Sequence, residues 1–327
     1  MYTVEELQER VEKEIQRRSG EMLQQSPVEL YQPIHYSLEM GGKRLRPVLL
    51  LLGYNLYQKH ISNALPAAVG IEVFHNFTLL HDDIMDKAAV RRNRPTVHVQ
   101  FDENSAILSG DAMAFQAYKY FLECKSERLS DAIALFTKTA IEVCEGQQYD
   151  MDFENRLDVS EAEYLEMIRL KTAVLLACSL KAGALLANAS DKQAAQLYAF
   201  GENLGLAFQL QDDLLDTFGD QRTFGKKIGG DILANKKTFL LINALLKASD
   251  DKKQQLLSWM AKSSFNSEEK IAAVTAIYEE TGVKQMAEHK VEAYFGKAMQ
   301  ILADLELEEP VKQPIRALAQ KMLIRKH

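Results

Sequence analysis

The chain has one tryptophan, seven prolines and three cysteines in 327 residues. So few prolines, with only 16 glycines, argue against the short, turn-rich strands of a sheet protein. The cysteines, Cys124, Cys144 and Cys178, are odd in number and stand at no metal-ligand spacing. That leaves no zinc-type cluster and fits buried thiols in a reducing cytoplasm. No apolar run is long enough to span a bilayer: Pro47 to Leu52 is too short, and the run from Ala173 is interrupted by Lys181. The start, MYTVEELQERVEKEIQRR, lacks the basic-then-apolar order of a secretory signal. Positive charge is not in excess either. A net charge of −7 and a pI near 5.6 argue against a general nucleic-acid or anionic-membrane surface, which needs a basic face. The expectation is a soluble, cytoplasmic chain with no nucleic-acid partner and no stable membrane insertion.

What is present reads as helix. Ala, Leu, Glu, Lys and Gln fill long stretches, and 47% of the residues are apolar, enough for a sizeable core. Apolar residues recur at helical period, as at Leu7, Val11 and Ile15, at Val69, Val73 and Phe77, and at Tyr164, Ile168 and Leu175. Ser160 and Glu163 read as a capping box opening a helix that carries Lys171 and Thr172. No repeat of solenoid length and no Pro/Ser linker divides the chain, so residues 1–327 read as one all-α domain. The longest irregular segment runs from Phe218 to Thr238, and loops of that length in compact domains are commonly functional.

Against this background LLHDDIMDKAAVRRNRPTVH, Leu79 to His98, is out of place in a buried helix. After Phe74, Phe77, Leu79 and Leu80 it puts Asp82, Asp83 and Asp86 into one turn. Side chains three and four apart are neighbours there, and like charges repel unless a cation bridges them. One D-D-x-x-D alone has an ordinary reading as a solvated helix end. FQLQDDLLD then repeats the spacing with Asp212, Asp213 and Asp216, again after an apolar run. Carboxylate clusters without His or Cys suit a hard divalent ion, and Mg2+ keeps one or two carboxylates while water and substrate phosphate fill its other positions. Cations follow both clusters: Arg91 and Arg92 after the first, Lys226, Lys227, Lys236 and Lys237 after the second. The earlier GGKRLRP adds Lys43, Arg44 and Arg46. Arginine forks match phosphate oxygens bidentately, and Gly41 and Gly42 let backbone N–H groups come close to a phosphate. The pattern points to a phosphorylated apolar substrate, held by metal at the mouth of an apolar pocket.

GGKRLRP, LLHDDIMDKAAVRRNRPTVH, SGDAM, the Lys171-Thr172 pair, FQLQDDLLD and GKKIGGDILANKKT, in that order, resemble the trans-isoprenyl diphosphate synthases, the farnesyl and geranylgeranyl diphosphate synthase family. The match runs from about Leu38 to Thr238. The resemblance implies antiparallel helices around a deep cavity, usually in a homodimer, with the two aspartate motifs facing each other across its mouth. It implies Mg2+, three ions with the allylic diphosphate, held by Asp82, Asp86, Asp212 and Asp216, with Asp83 in support and Asp213 in the same catalytic set. Arg91, Lys171, Lys226 and Lys236 resemble the contacts to the allylic diphosphate, and Gly225-Lys226-Lys227 leaves open which of its two lysines takes that contact. Lys43, Arg46, His75 and Arg92 resemble the isopentenyl diphosphate site. Thr172 and Gln209 resemble polar groups whose oxygens lie near the developing carbocation. The implied reaction is ionisation of the allylic diphosphate, 1'-4 attack by the double bond of isopentenyl diphosphate, and proton loss to the departing diphosphate.

Product length rests on the helix before Asp82. Phe77 and Phe74 stand five and eight residues back, roughly 7 and 12 Å deeper at the helical rise, and either ring could floor the pocket, while Phe74 reads equally well as core. Thr78 beside Phe77, in an uninserted motif, resembles the short-chain geranylgeranyl synthases, so a C20 product is expected, with farnesyl diphosphate (C15) as the alternative. Two further readings stand apart. Glu72-x-x-His75 has the spacing of a di-iron carboxylate site, although that fold needs two such pairs and one is found. A non-catalytic subunit of a heteromeric synthase would keep the same fold.

Overall fold

The computed structural model describes residues 1–219 and 228–323. In chain order they form α1 (Val4–Met22), α2 (Val28–Glu39), α3 (Leu45–Asn55), a 3-10 turn (Ile61–Asn63), α4 (Leu65–Met85), β1 (Val90–Arg91), β2 (Arg94–Pro95), α5 (Val97–Gln100), α6 (Glu103–Leu122) and α7 (Leu129–Glu154). There follow α8 (Glu161–Ile168), a π-helical turn (Arg169–Ala173), α9 (Val174–Leu186), α10 (Asp191–Phe218), α11 (Gly230–Leu233), α12 (Phe239–Lys247), α13 (Asp250–Ala261), α14 (Ser267–Glu280), α15 (Val283–Ala303) and α16 (Glu309–Leu323). The fold is all-α, as the composition predicts. Among the described residues the only sheet is the antiparallel pair β1-β2.

The chain divides into two compact units. One comprises Met1–Lys138, Cys178–Tyr198 and Leu305–Ile315; the other comprises Thr139–Ala177, Ala199–Asp304 and the segment from Arg316. In the first unit the stretch of α4 from Ala67 to Phe74 is buried on every side: Ala67, Val69, Ile71 and Val73 are each 1% exposed or less, the mark of a helix surrounded by others. Val48 to Leu52 in α3 are fully buried too, so this apolar run is core. Among the described residues no helix is long and apolar enough to cross a membrane. α1 shows the amphipathic case. Thr3 and Glu6 form its capping box, and Leu7, Val11 and Ile15 face inward at the predicted period.

The second unit is built on Tyr164, Met167 and Ile168 of α8, Leu206, Leu210 and Leu214 of α10, and Phe239 to Ile242 of α12, against Val274, Ile277 and Tyr278 of α14. Ser160 and Glu163 cap each other's backbone N–H groups as predicted. Cys124 and Cys178 are buried, but Cys144 is exposed, which corrects the expectation of three buried thiols. It follows buried Val143, and one helical step of about 100° carries it off the inward face.

Candidate active site

The first acidic motif closes α4, with Asp86 as its C-cap. Its three carboxylates are not equivalent. Asp83 is 3% exposed, and Arg91 Nε donates to both of its oxygens at 2.8 Å. Burial pushes the Asp83 carboxyl up, and the Arg91 fork opposes that shift. Arg91 Nη2 also lies 3.5 Å from Asp82 Oδ2. Asp82 is partly exposed and Asp86 exposed. The hairpin delivers Arg91: Arg91 pairs with Arg94 across a two-residue loop whose Arg92 and Asn93 have φ of 52° and 62°, the signs a type I' turn requires. Strands of two residues carry no readable alternation, so sequence reasoning missed this element. Its faint signal is Asn93, a residue that tolerates the left-handed region.

Beside the hairpin lies a cluster of cations. Arg92 donates to the Gly41 carbonyl, and a Cβ at Gly42 (φ 142°) would come within 2.9 Å of the Arg92 guanidinium. The positive φ favours glycine there, and the close guanidinium sets the contact a side chain would meet. Arg46 Nη1 lies 3.0 Å from His75 Nε2. Burial, then Arg46 and Arg92, push His75 well below its ordinary value, so a neutral ring accepts from Arg46. Burial and Arg92, against the attraction of Glu72, bring Arg46 down to about 10. Its Nε is buried with no hydrogen-bond partner among the described residues. Three of the four residues expected to hold isopentenyl diphosphate are thus together, and Lys43 is exposed in the adjoining turn.

Arg44 of the same GGKRLRP stretch does something else. It is 4% exposed and donates to Glu12 Oε2 at 2.9 Å, Glu72 Oε1 at 2.8 Å and the Leu38 carbonyl at 2.8 Å. It ties three segments together and is spent as a phosphate ligand. Glu72 also accepts from Asn76. With Glu72 on Arg44 and His75 on Arg46, the Glu72-x-x-His75 spacing serves ion pairing and hydrogen bonding, and the di-iron reading loses its one pair.

On the same helix Phe74 is 2% exposed and packs edge-on to Phe136, with centroids 5.1 Å apart. Phe77 lies between Phe74 at 5.3 Å and His81 at 4.8 Å and stays partly exposed. Phe74 is core, and Phe77 is the ring nearer the acidic turn. Thr78 Oγ1 donates back to the His75 carbonyl at 2.8 Å.

The second acidic motif, on α10, repeats the pattern of burial with other partners. Asp213 is 5% exposed; Tyr164 OH donates to one oxygen, and Gln209 Nε2 to the other at 3.2 Å. Burial and the neighbouring Asp231 carboxylate push Asp213 well up. Thr172 Oγ1 lies 3.2 Å from Gln209 Oε1, so Thr172, Gln209, Asp213 and Tyr164 form one hydrogen-bonded chain. Asp212 and Asp216 are partly exposed. Asp216 Oδ2 accepts from Asp231 N at 2.9 Å.

Lys171 and Thr172 sit in the π-helical turn, a local widening found often at functional sites. A Cβ at Gly146 would lie 2.3 Å from Lys171 N, so α7 meets the turn backbone to backbone. Lys171 Nζ donates to Asp150 Oδ2 at 2.7 Å, and Lys236 Nζ reaches the same oxygen at 3.4 Å. Burial raises the Asp150 carboxyl, but the two lysines outweigh it and hold the group below its usual range. Two lysines expected on the allylic diphosphate therefore converge on one carboxylate that sequence reasoning missed. Its available signal was the isolated Gly146 one turn earlier in a helical run. Tyr164 and Asp231 were missed as well. Lys226 and Lys227 lie outside the described residues.

Among the described residues no three His, Cys, Asp or Glu side chains form a ready-made metal cage. The donors still fit Mg2+, because the outer aspartates of each motif offer hard oxygens to solvent and this ion takes the rest of its shell from water and phosphate.

Paired carboxylates at helix faces, with guanidinium and ammonium groups beside them, have the chemistry to hold a divalent ion and a phosphate ester. The polyprenyl synthetase family model matches residues 27–278. The chain is similar to a geranylgeranyl diphosphate synthase of Methanosarcina mazei, 44% identical over 223 residues, which cover 68% of this chain and 69% of that one. Among solved structures, a geranylgeranyl pyrophosphate synthase matches with a TM-score of 0.92 at 40% identity, covering 100% of both chains. A polyprenyl synthase from Caulobacter crescentus CB15, complexed with calcium and isoprenyl diphosphate, matches with a TM-score of 0.86 at 26% identity, covering 99% of this chain and 97% of that one. The chain belongs to the polyprenyl synthetase family and is a trans-prenyltransferase.

Proposed function

We propose that the protein makes geranylgeranyl diphosphate by Mg2+-dependent 1'-4 condensation of isopentenyl diphosphate with an allylic diphosphate. The observation that carries this is the repeated one: in each acidic motif the middle aspartate is buried and hydrogen-bonded while the outer two reach solvent. The geranylgeranyl synthases among its relatives support the C20 product. Farnesyl diphosphate is the second reading, favoured by the Phe74–Phe77 contact one to two turns below Asp82.

Asp82, Asp86, Asp212 and Asp216 would hold Mg2+ in this reading, three ions with the substrate, and the metal would supply charge neutralisation for the departing diphosphate. Lys171 and Lys236, held by Asp150, bind allylic diphosphate oxygens, with Lys226 assigned to the same role. Arg91 fixes Asp83 and brings one guanidinium edge to Asp82. Lys43, Arg46, Arg92 and neutral His75 orient isopentenyl diphosphate, so that its double bond attacks the allylic cation. Thr172 and Gln209 present oxygens to that cation, and Phe77 keeps water from it. The proton lost in the last step passes to the leaving diphosphate. α6 exposes Leu108, Phe115 and Leu122 at seven-residue spacing, with Phe115 76% exposed, and we assign this stripe to a second copy in a cytoplasmic homodimer.

The test is incubation with Mg2+, labelled isopentenyl diphosphate and, separately, dimethylallyl, geranyl and farnesyl diphosphate, with products resolved by length. A C20 product is expected. A stop at C15 selects the second reading, and no elongation from any starter overturns both in favour of a non-catalytic subunit.

A further inference from the structure

Among the described residues, a buried cation that the chemistry above leaves unused is paired with no carboxylate. Lys270 of α14 is 1% exposed, a rare place for an ammonium group. Its hydrogen-bond partners among the described residues are neutral: Nζ donates to Asn235 Oδ1 at 2.8 Å and to the Leu233 carbonyl at 3.4 Å. It also lies 4.2 Å from the centre of the Phe265 ring, where a cation is attracted to the aromatic face. A methionine would fill the same volume with less desolvation. Packing alone therefore does not account for a lysine, whereas a donor to two specific oxygens does.

Those oxygens belong to the turn that launches Lys236. Asn235 is in the left-handed region, φ 54°, a conformation that persists where the surroundings over-determine it. Its amide is gripped at both ends: Oδ1 accepts from Lys270, and Nδ2 donates to the Met260 carbonyl of α13 at 3.1 Å. Lys236 N then donates to the Asp231 carbonyl at 3.0 Å, and Thr238 N to the Lys236 carbonyl at 2.9 Å. The adjacent cavity, lined by Asp231, Asn235, Lys236, Lys270 and Tyr278, is about 10 Å³, room for no more than one water. It is a joint between elements, with no space for a substrate.

We propose that Lys270 is a positioning residue for the diphosphate-binding lysine: by clamping Asn235 in its left-handed turn, it fixes where the Lys236 ammonium emerges. This rests on the reading that Lys236 binds the allylic diphosphate. A displaced Lys236 weakens binding of the allylic diphosphate and leaves isopentenyl diphosphate, assigned to Lys43, Arg46, His75 and Arg92, unaffected.

The experiment compares the full-length protein with Lys270→Met and with Asn235→Gly, which keeps the positive φ and removes the clamp. Each should raise KM for the allylic diphosphate about 10-fold, as a small misplacement of a binding group does, with KM for isopentenyl diphosphate changed less than about 2-fold. Hydrogen exchange at the Lys236 and Thr238 amides should quicken in both. The double variant should be no worse than either single one, because the two residues are links in one chain. Unchanged allylic KM and unchanged exchange in a folded variant, or an equal rise in both KM values, would overturn the clamp. Should Lys270→Met fail to fold, Asn235→Gly carries the test alone. If the wild type elongates no allylic diphosphate, the functional reading fails instead, and the exchange comparison still decides the clamp.

Discussion

The two acidic motifs share one spacing, yet their middle carboxylates are held in opposite ways. Asp83 meets a guanidinium fork, with Arg91 Nε 2.8 Å from both oxygens. Asp213 meets neutral donors, Tyr164 OH and Gln209 Nε2. The rings and amides one turn earlier differ too: Phe77 precedes the first motif, and Gln209, linked to Thr172, precedes the second. A repeated pattern thus fixes which carboxylates reach solvent and leaves open what anchors them. The first motif sits on an arginine and an aromatic ladder, which in the proposed reading borders the hydrocarbon chain. The second sits on a polar chain, which in that reading faces the allylic cation.

Four changes probe that contrast, from the largest expected effect to the smallest. Asp82→Ala and Asp212→Ala should each raise the barrier by about 3–4 kcal/mol, seen as a fall in kcat of roughly 10²- to 10³-fold. Near-normal turnover by either would make that motif a bystander. Asp83→Asn leaves the Arg91 guanidinium one neutral acceptor in place of a charged pair of oxygens and should cost about 3 kcal/mol in denaturant unfolding. Asp213→Asn keeps an acceptor for one neutral donor and should cost only about 1 kcal/mol. Equal losses would erase the difference between the anchors.

Asp150→Asn removes the negative charge that Lys171 and Lys236 share and should cost about 2 kcal/mol at neutral pH. Because the folded Asp150 carboxyl is held below its usual range, its contribution is complete above the unfolded carboxyl value and fades as pH falls through the lower folded one. The gap between wild type and variant should therefore shrink below about pH 4. A gap that persists there would mean the loss is one of packing. Phe77→Ala, partly exposed and outside the hydrogen-bonded sets, should change stability least and lengthen the product. An unchanged product distribution would move the pocket floor elsewhere.

Much of this was legible because it is local. Helical period, the Ser160–Glu163 capping box and the inward stripe of Leu7, Val11 and Ile15 depend on residues three or four apart, and all appear as predicted. The repeated aspartate spacing was legible for the same reason. Arg44 was misread because its sequence neighbours are candidate phosphate ligands, whereas its fate is decided by Glu12 and Glu72, remote in the chain. Asp150, Tyr164 and the Lys270–Asn235 clamp were invisible on the same grounds: each acts through a partner that only the tertiary fold brings near. The π-helical turn was missed because one extra residue inside a helix leaves each side helical and shows only as a slip of phase between them.

The most direct measurement is calorimetric titration of inorganic pyrophosphate into wild type, Asp82→Ala and Asp212→Ala, with and without Mg2+. If both motifs carry metal to one diphosphate, binding depends on Mg2+ and each variant weakens it. Binding that persists without Mg2+, or that survives the loss of either aspartate unchanged, would contradict a shared metal site.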